Sequence, residues 1–274
     1  MDVRRPLALP LLLPALVAAL FLAAPLLGLV LRAPWSTVFE RATSEPLLAA
    51  LRLSLITSAW SAALAFVLGV PLAAWLASGR SPARTLVRIL VTLPLVLPPV
   101  VAGVALLLAF GRAGLLGGSI ELLFGAALPF TTLGVVVAQT YVALPFLVLA
   151  AEAGLRGVDR DVEDAARTLG AGPWRVFRTV TLPLARPALG AGLRVAWARA
   201  LGEFGATITF AGSLEGTTRT LPLAVYSALE REPDAAIALS LVLVAVSALV
   251  LFLLRHRWFP GSAGAGAAQG AAPR

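Results

Sequence analysis

Asp164, Ala165, Ala166, Gly170, Val180, Leu182 and Pro183 form the spaced pattern D-A-A-x3-G-x9-V-x-L-P in an otherwise oily chain. The chemistry this offers is docking rather than bond-making. Paired alanines let a partner approach a helix backbone closely, and a glycine after them is a natural helix stop. Six arginines between Arg156 and Arg186 make the surroundings a poor lipid partner and a good surface for a soluble protein. Reaction chemistry is scarce elsewhere. One histidine (His256), no cysteine and no lysine leave no His-rich metal set, no thiolate and no P-loop lysine for a nucleotide's phosphates. An enzyme is not indicated, and any ATP that drives the chain must be bound by another polypeptide.

The other polar groups worth weighing lie in apolar runs: Thr92, Gln139, Thr140, Arg199, Glu203, Thr207, Thr209 and Ser213. Intramembrane charges are costly and default to a functional hypothesis. Arg199 and Glu203 are four apart on one helix, so a local ion pair is within reach. An unpaired Glu203 would repel any anion passing it, which favours a structural or gating pair buried between helices. The hydroxyls and the Gln139 amide could line a polar path through the membrane. Taken singly, each hydroxyl is expected to bond the carbonyl four residues back in its own helix; only the clustering suggests a pathway. His256, between Arg255 and Arg257, reads as a membrane-flank residue.

These residues require membrane helices to position them. Hydrophobic residues make up 59% of the 274, charged residues 13%, and mean hydropathy is +0.91. The expected class is an all-α integral membrane protein of six spans, at about 6–31, 53–79, 89–111, 130–151, 191–211 and 235–254. The fifth span is interrupted by Arg194, Arg199 and Glu203. No period-2 alternation suggests a barrel. Residues 1–260 read as a single transmembrane domain, with a loop at 152–190 and a Gly/Ala-rich tail at 261–274 expected to be disordered. With the N-terminus inside, fourteen arginines fall on the inner side and six on the outer, which places both termini and the 152–190 loop in the cytoplasm. The run 6–31 is too long for a signal-peptide core and reads as an uncleaved span.

Within the loop, Asp161 to Gly170 predicts a short amphipathic helix. Val162, Ala165, Ala166 and Leu169 share one face, Glu163, Asp164 and Arg167 the other. Asp161 is the expected N-cap and Gly170 the stop. Pro173 is placed to open a second helix, PWRVFRTVTL, carrying Trp174 and Phe177, that ends at Leu182-Pro183 before the fifth span. Several spans carry proline; Pro98-Pro99, with Gly103 after them, suggest a hinge or pathway kink in the third. Segment 32–52 offers Trp35 and Phe39 as interface anchors, and 112–129 reads as a re-entrant or interfacial turn.

At the opening motif the chain resembles the membrane permease subunits of ABC importers, whose signature is E-A-A-x3-G-x9-I-x-L-P. Asp164 for Glu and Val180 for Ile are the two departures. Leu93 to Gly103, Ala200 to Thr207, Phe210 to Ser213 and Thr220 to Tyr226 look like the molybdate and sulfate branch of that family, the first stretch more like its molybdate member. The similarity covers roughly 45–255. It implies a coupling helix lodged in a groove of the ATPase, with Glu163, Asp164, Ala165, Ala166, Leu169, Gly170, Val180, Leu182 and Pro183 as the coupling residues, braced by a following elbow. It implies cytoplasmic ATPase subunits that hold ATP and Mg, an extracytoplasmic binding protein, a second permease copy in a homodimer, and import of molybdate or tungstate across the bacterial cytoplasmic membrane. No cofactor is expected on this chain, and no nucleic acid as partner.

Two other functions compete. A sulfate or thiosulfate permease of the same branch, usually a heterodimer, would be encoded beside a second similar permease. A secondary transporter driven by ion gradients would show charged relays and inverted repeats; neither is seen, and the D-A-A loop would go unexplained.

Overall fold

A computed structural model describes residues 9–254, and every regular element among them is helical. The expectations for the 261–274 tail, His256 and the arginines at 4, 5, 255, 257 and 274 lie outside the described residues. Among the described residues four helices are long and apolar enough to cross a membrane: α1 (Leu9–Leu31), α3 (Glu45–Ala77), α7 (Thr132–Arg156) and α13 (Pro233–Leu254). Between α1 and α3 lies the short α2 (Trp35–Ala42). The remaining elements are α4 (Pro82–Val96), α5 (Pro99–Phe110), α6 (Gly117–Phe124), α8 (Arg160–Thr168), α9 (Pro173–Val176), α10 (Leu182–Leu201), α11 (Gly205–Ala211) and α12 (Leu221–Leu229). A π-turn, Phe177–Thr181, joins α9 to α10.

α7 is the hub and packs on α3, α10, α11 and α4. Lipid tails are as apolar as leucine, so membrane helices gain by close backbone approach over small residues rather than by burying oily ones. The sequence supplies these: Ala65, Ala73, Ala138, Ala143, Ala151, Ala196 and Ala200 are fully buried along these contacts. Where α7 crosses α10, a Cβ on Gly154 would stand 2.3 Å from the Ala188 Cβ, and one on Gly192 would stand 2.8 Å from the Ala150 Cβ. α1 lies at the periphery against α13, with no part of its apolar stretch buried.

Three expected spans differ in build. The third is two helices, α4 and α5, because Pro98 and Pro99 break rather than kink it: Leu97 and Pro98 are extended, with ψ of 134° and 135°. Pro99 imposes this on Pro98, and Pro98 lacks an N–H to carry the helix through. The fifth starts nine residues early, at Leu182 instead of 191, and is interrupted at Gly202–Phe204 before α11 resumes. Leu182-Pro183 therefore do not close a helix: Thr181 and Leu182 are both helical, so α10 follows the π-turn without a break. The second begins at Glu45, capped behind Ser44 with Pro46 in its first turn, and takes Arg52 into the helix. The 32–52 segment is accordingly mostly helical. Trp35 (55% exposed) and Phe39 (78%) project from α2, whose Val38 packs on Ala238. Segment 112–129 contains α6, stopped by Gly125 at φ 70°.

Candidate functional site

The D-A-A segment folds as α8. Its N-cap is Asp159, not Asp161: the Asp159 Oδ1 accepts from the Asp161 N–H at 3.0 Å, and the helix begins at Arg160. Asp161 instead occupies the first turn with Glu163, where negative charge suits the helix dipole. The far end is a Schellman closure. Gly170, at φ +83°, donates to the Arg167 carbonyl, and the Ala171 N–H reaches back to the Ala166 carbonyl. Side chains rarely adopt that φ, which is why a glycine stands there.

Among the described residues α8 packs mainly on α9 and the π-turn, and most of its apolar face is left exposed. Val162 is 45% exposed and Leu169 89%, Ala165 is exposed and Ala166 half-buried. Trp174, stacked on Phe177 at 5.8 Å, continues this surface at 71% exposure. Behind it, Phe177 and Leu182 pack against the cluster of Val70, Leu76, Val148 and Leu189 that joins α3, α7 and α10. Val180 and Pro183 are half-buried in the same elbow. On the polar face, Arg167 pairs with both Glu163 and Asp164.

A second group of residues converges on the two broken helices. The Arg199 Nη1 lies 2.6 Å from the Glu203 Oε2, and Glu203 is 1% exposed. The Glu203 Oε1 accepts from the Ala206 N–H at 2.8 Å, so one carboxylate both holds the arginine and caps α11. The break in α10–α11 abuts the break in α4–α5: a Cβ on Gly205 would stand 2.5 Å from the Pro99 Cβ, and one on Gly103 would stand 2.5 Å from the Thr209 Cβ. Gly205→Val is therefore expected to push α5 and α11 apart and lower uptake in proteoliposomes by at least about tenfold, as overpacking a tight contact does. Gly118→Ala, with nothing within 4 Å of the added carbon, should transport as the parent does.

The remaining polar residues divide. Thr92, Thr140 and Thr209 each donate to the carbonyl four residues back, at Arg88, Val136 and Gly205. Thr92 lies on α4. Ser213 accepts from the Arg219 Nε at 3.2 Å. Gln139 and Thr207 are fully buried, and neither end of the Gln139 amide nor the Thr207 hydroxyl has a hydrogen-bond partner among the described residues. Such groups are expensive in an apolar interior.

Two features escaped the sequence reading. Ser54, Thr57, Ser58 and Ser61 form a fully buried polar stripe on α3. Ser54 accepts from the Leu221 N–H at 2.6 Å, Ser58 accepts from the Trp197 indole at 3.0 Å, and the Ser61 and Thr140 hydroxyls are hydrogen-bonded at 3.2 Å, so α3 is fastened to three elements. Their spacing of three and four residues was the available signal. The second is Glu152, which binds Arg88 at 2.6 Å and Arg156 at 2.9 Å, while Arg156 also donates to the Leu76 carbonyl. Glu152 and Arg156 are four apart on α7; that the third member would come from α4 was not legible in the chain order.

Residues 69–258 match the family described as the binding-protein-dependent transport system inner membrane component. The chain belongs to this family. It is a membrane-embedded transport subunit and not an enzyme, and hydrolysis of ATP falls to a partner. A Mycobacterium tuberculosis protein named molybdenum transport system permease protein ModB is 48% identical over 231 residues, which are 84% of this chain and 87% of that one. A Haloferax volcanii protein named a probable molybdenum ABC transporter permease is 41% identical over 231 residues, 84% of this chain and 82% of its own. Among solved structures, a chain of the bacterial ABC transporter that imports the acidic polysaccharide alginate shares the fold, with a TM-score of 0.73 over 90% of this chain and 93% of its own, at 19% identity.

Proposed function

We propose that this permease imports molybdate, with tungstate as an accepted analogue, as one half of a homodimer. In this account α8 docks on a cytoplasmic ATPase, which binds ATP and Mg, and an extracytoplasmic binding protein delivers the anion. The carrying observation is α8 itself: a short helix whose apolar, alanine-bearing face is exposed and framed by Gly170 at one end and Trp174 beyond it. A surface of that kind fits a groove in a soluble partner better than it fits water. The arginine distribution supports placing this loop and both termini in the cytoplasm.

The cargo reading is supported by the names of the two relatives and by the polar groups near the broken helices. Apart from the Arg199–Glu203 pair these are neutral donors, which suits passage of an anion without strong retention. The test reconstitutes the permease with its ATPase and binding protein and measures ATP hydrolysis with the binding protein loaded with molybdate, tungstate or sulfate. Molybdate and tungstate should stimulate hydrolysis and sulfate should not. Equal stimulation by sulfate would assign the chain to sulfate or thiosulfate import instead.

A further inference from the structure

Glu163 differs from the motif residue beside it. The Asp164 side chain is 65% exposed, while that of Glu163 is 19% exposed and turned back towards the bundle. Its Oε1 accepts a hydrogen bond from the Thr181 hydroxyl, and its Oε2 lies 3.3 Å from the Arg167 Nη2. Thr181 is 8% exposed and is the last residue of the π-turn, directly before α10 begins at Leu182.

Two further observations give this contact its weight. First, α8 does not rest on the membrane bundle. A cleft of about 1000 Å³ separates it from the ends of α3 and α7, with Ala77, Arg80, Leu155 and Arg156 among its walls, and α8 packs on α9 and the π-turn. Second, the π-turn sets where Thr181 points. Each residue of an α-helix advances about 100° around the axis, so the wider turn changes the direction of everything after it.

We propose that Glu163 is a positioning residue, and that its hydrogen bond to Thr181 is the strut that carries a displacement of α8 into α10. α10 runs from that strut to the Arg199–Glu203 pair and the break beside Pro99, so a push at Thr181 acts along a continuous helix on the place where two broken helices meet. Arg167 steadies the strut from the side. Asp164, exposed beside it, is left for the ATPase.

The proposal rests on the reading of α8 as the ATPase dock, and the test keeps the two apart. In proteoliposomes holding permease, ATPase and loaded binding protein, oxyanion uptake per ATP hydrolysed is measured for Thr181→Val, Thr181→Ser, Glu163→Gln and Ala166→Trp. Thr181→Val, which keeps the shape and removes the donor, should lower that ratio about tenfold, the effect of losing a hydrogen bond to a charged acceptor. Thr181→Ser should restore it. Glu163→Gln, which keeps an oxygen acceptor without the charge, should fall between. A parental ratio in Thr181→Val alongside an uncoupled Ala166→Trp overturns the strut and leaves the dock standing. Parental ratios in both overturn the dock as well. Should Thr181→Val fail to assemble, Glu163→Ala decides by the same ratio: a fall supports the strut, and a parental ratio overturns it.

Discussion

Replacing Glu203 by alanine is expected to cost the permease about 3–5 kcal/mol of stability, the range for removing one partner of a buried ion pair. The side chain is 1% exposed and serves two neighbours. Its loss would leave the Arg199 guanidinium, 31% exposed, without its counter-charge and the buried Ala206 N–H without its acceptor. Glu203→Gln should be milder, because an amide oxygen can still cap Ala206 while the charge is gone. Removing both charges, as Arg199→Leu with Glu203→Gln, should recover part of the loss, since no uncompensated charge then remains. Thermal unfolding in detergent for the two single variants and the double variant measures the coupling. A double variant less stable than the sum of the singles predicts would contradict the pairing. The role assigned here is structural: Glu203 holds the α10–α11 break shut against Pro99, and an acid that bound the cargo would repel an anion.

Ala166→Trp should separate ATP hydrolysis from transport while leaving the membrane bundle intact. The residue sits half-buried on α8 between exposed Val162 and Leu169, on a helix that packs mainly on α9 and the π-turn. An indole there alters no core contact, so the unfolding temperature of the permease alone should stay near the parental value. In the assembled transporter the same indole would hold the partner's surface away from the helix backbone. Uptake is expected to fall by at least about tenfold, since misplacement by an ångström in a coupled machine has costs of that order. Leu169→Asp, at the most exposed apolar position of the face, should act the same way by weakening assembly. Parental uptake by both variants would remove α8 from the transport cycle.

Much of the site was legible because its signals are local. The D-A-A pattern, Gly170 as a positive-φ stop and the four-residue spacing of Arg199 and Glu203 depend on neighbours in sequence, and α8, its closure and the ion pair follow from them. The prolines were legible as irregularities but not in their consequence. Pro98-Pro99 look like a kink until Gly205 is seen against Pro99, a contact 106 positions apart in sequence that lets the two ends of a full break be packed. The π-turn was not read from PWRVFRTVTL, which is an acceptable α-helix by itself; the nearby irregularity is Pro183, which has no N–H to give the preceding turn. The serine stripe of α3 had a readable period, yet its meaning depends on Leu221, Trp197 and Thr140, which come from three other elements.

The central claim is that this chain forms half of an anion path whose motion is driven by ATP hydrolysed elsewhere. Molybdate uptake into proteoliposomes tests it most directly, with the ATPase, the loaded binding protein and ATP added in all combinations. Uptake should require all three, with a membrane potential or proton gradient unable to replace ATP. Uptake sustained by an ion gradient in the permease alone would contradict the account and make the chain a secondary transporter.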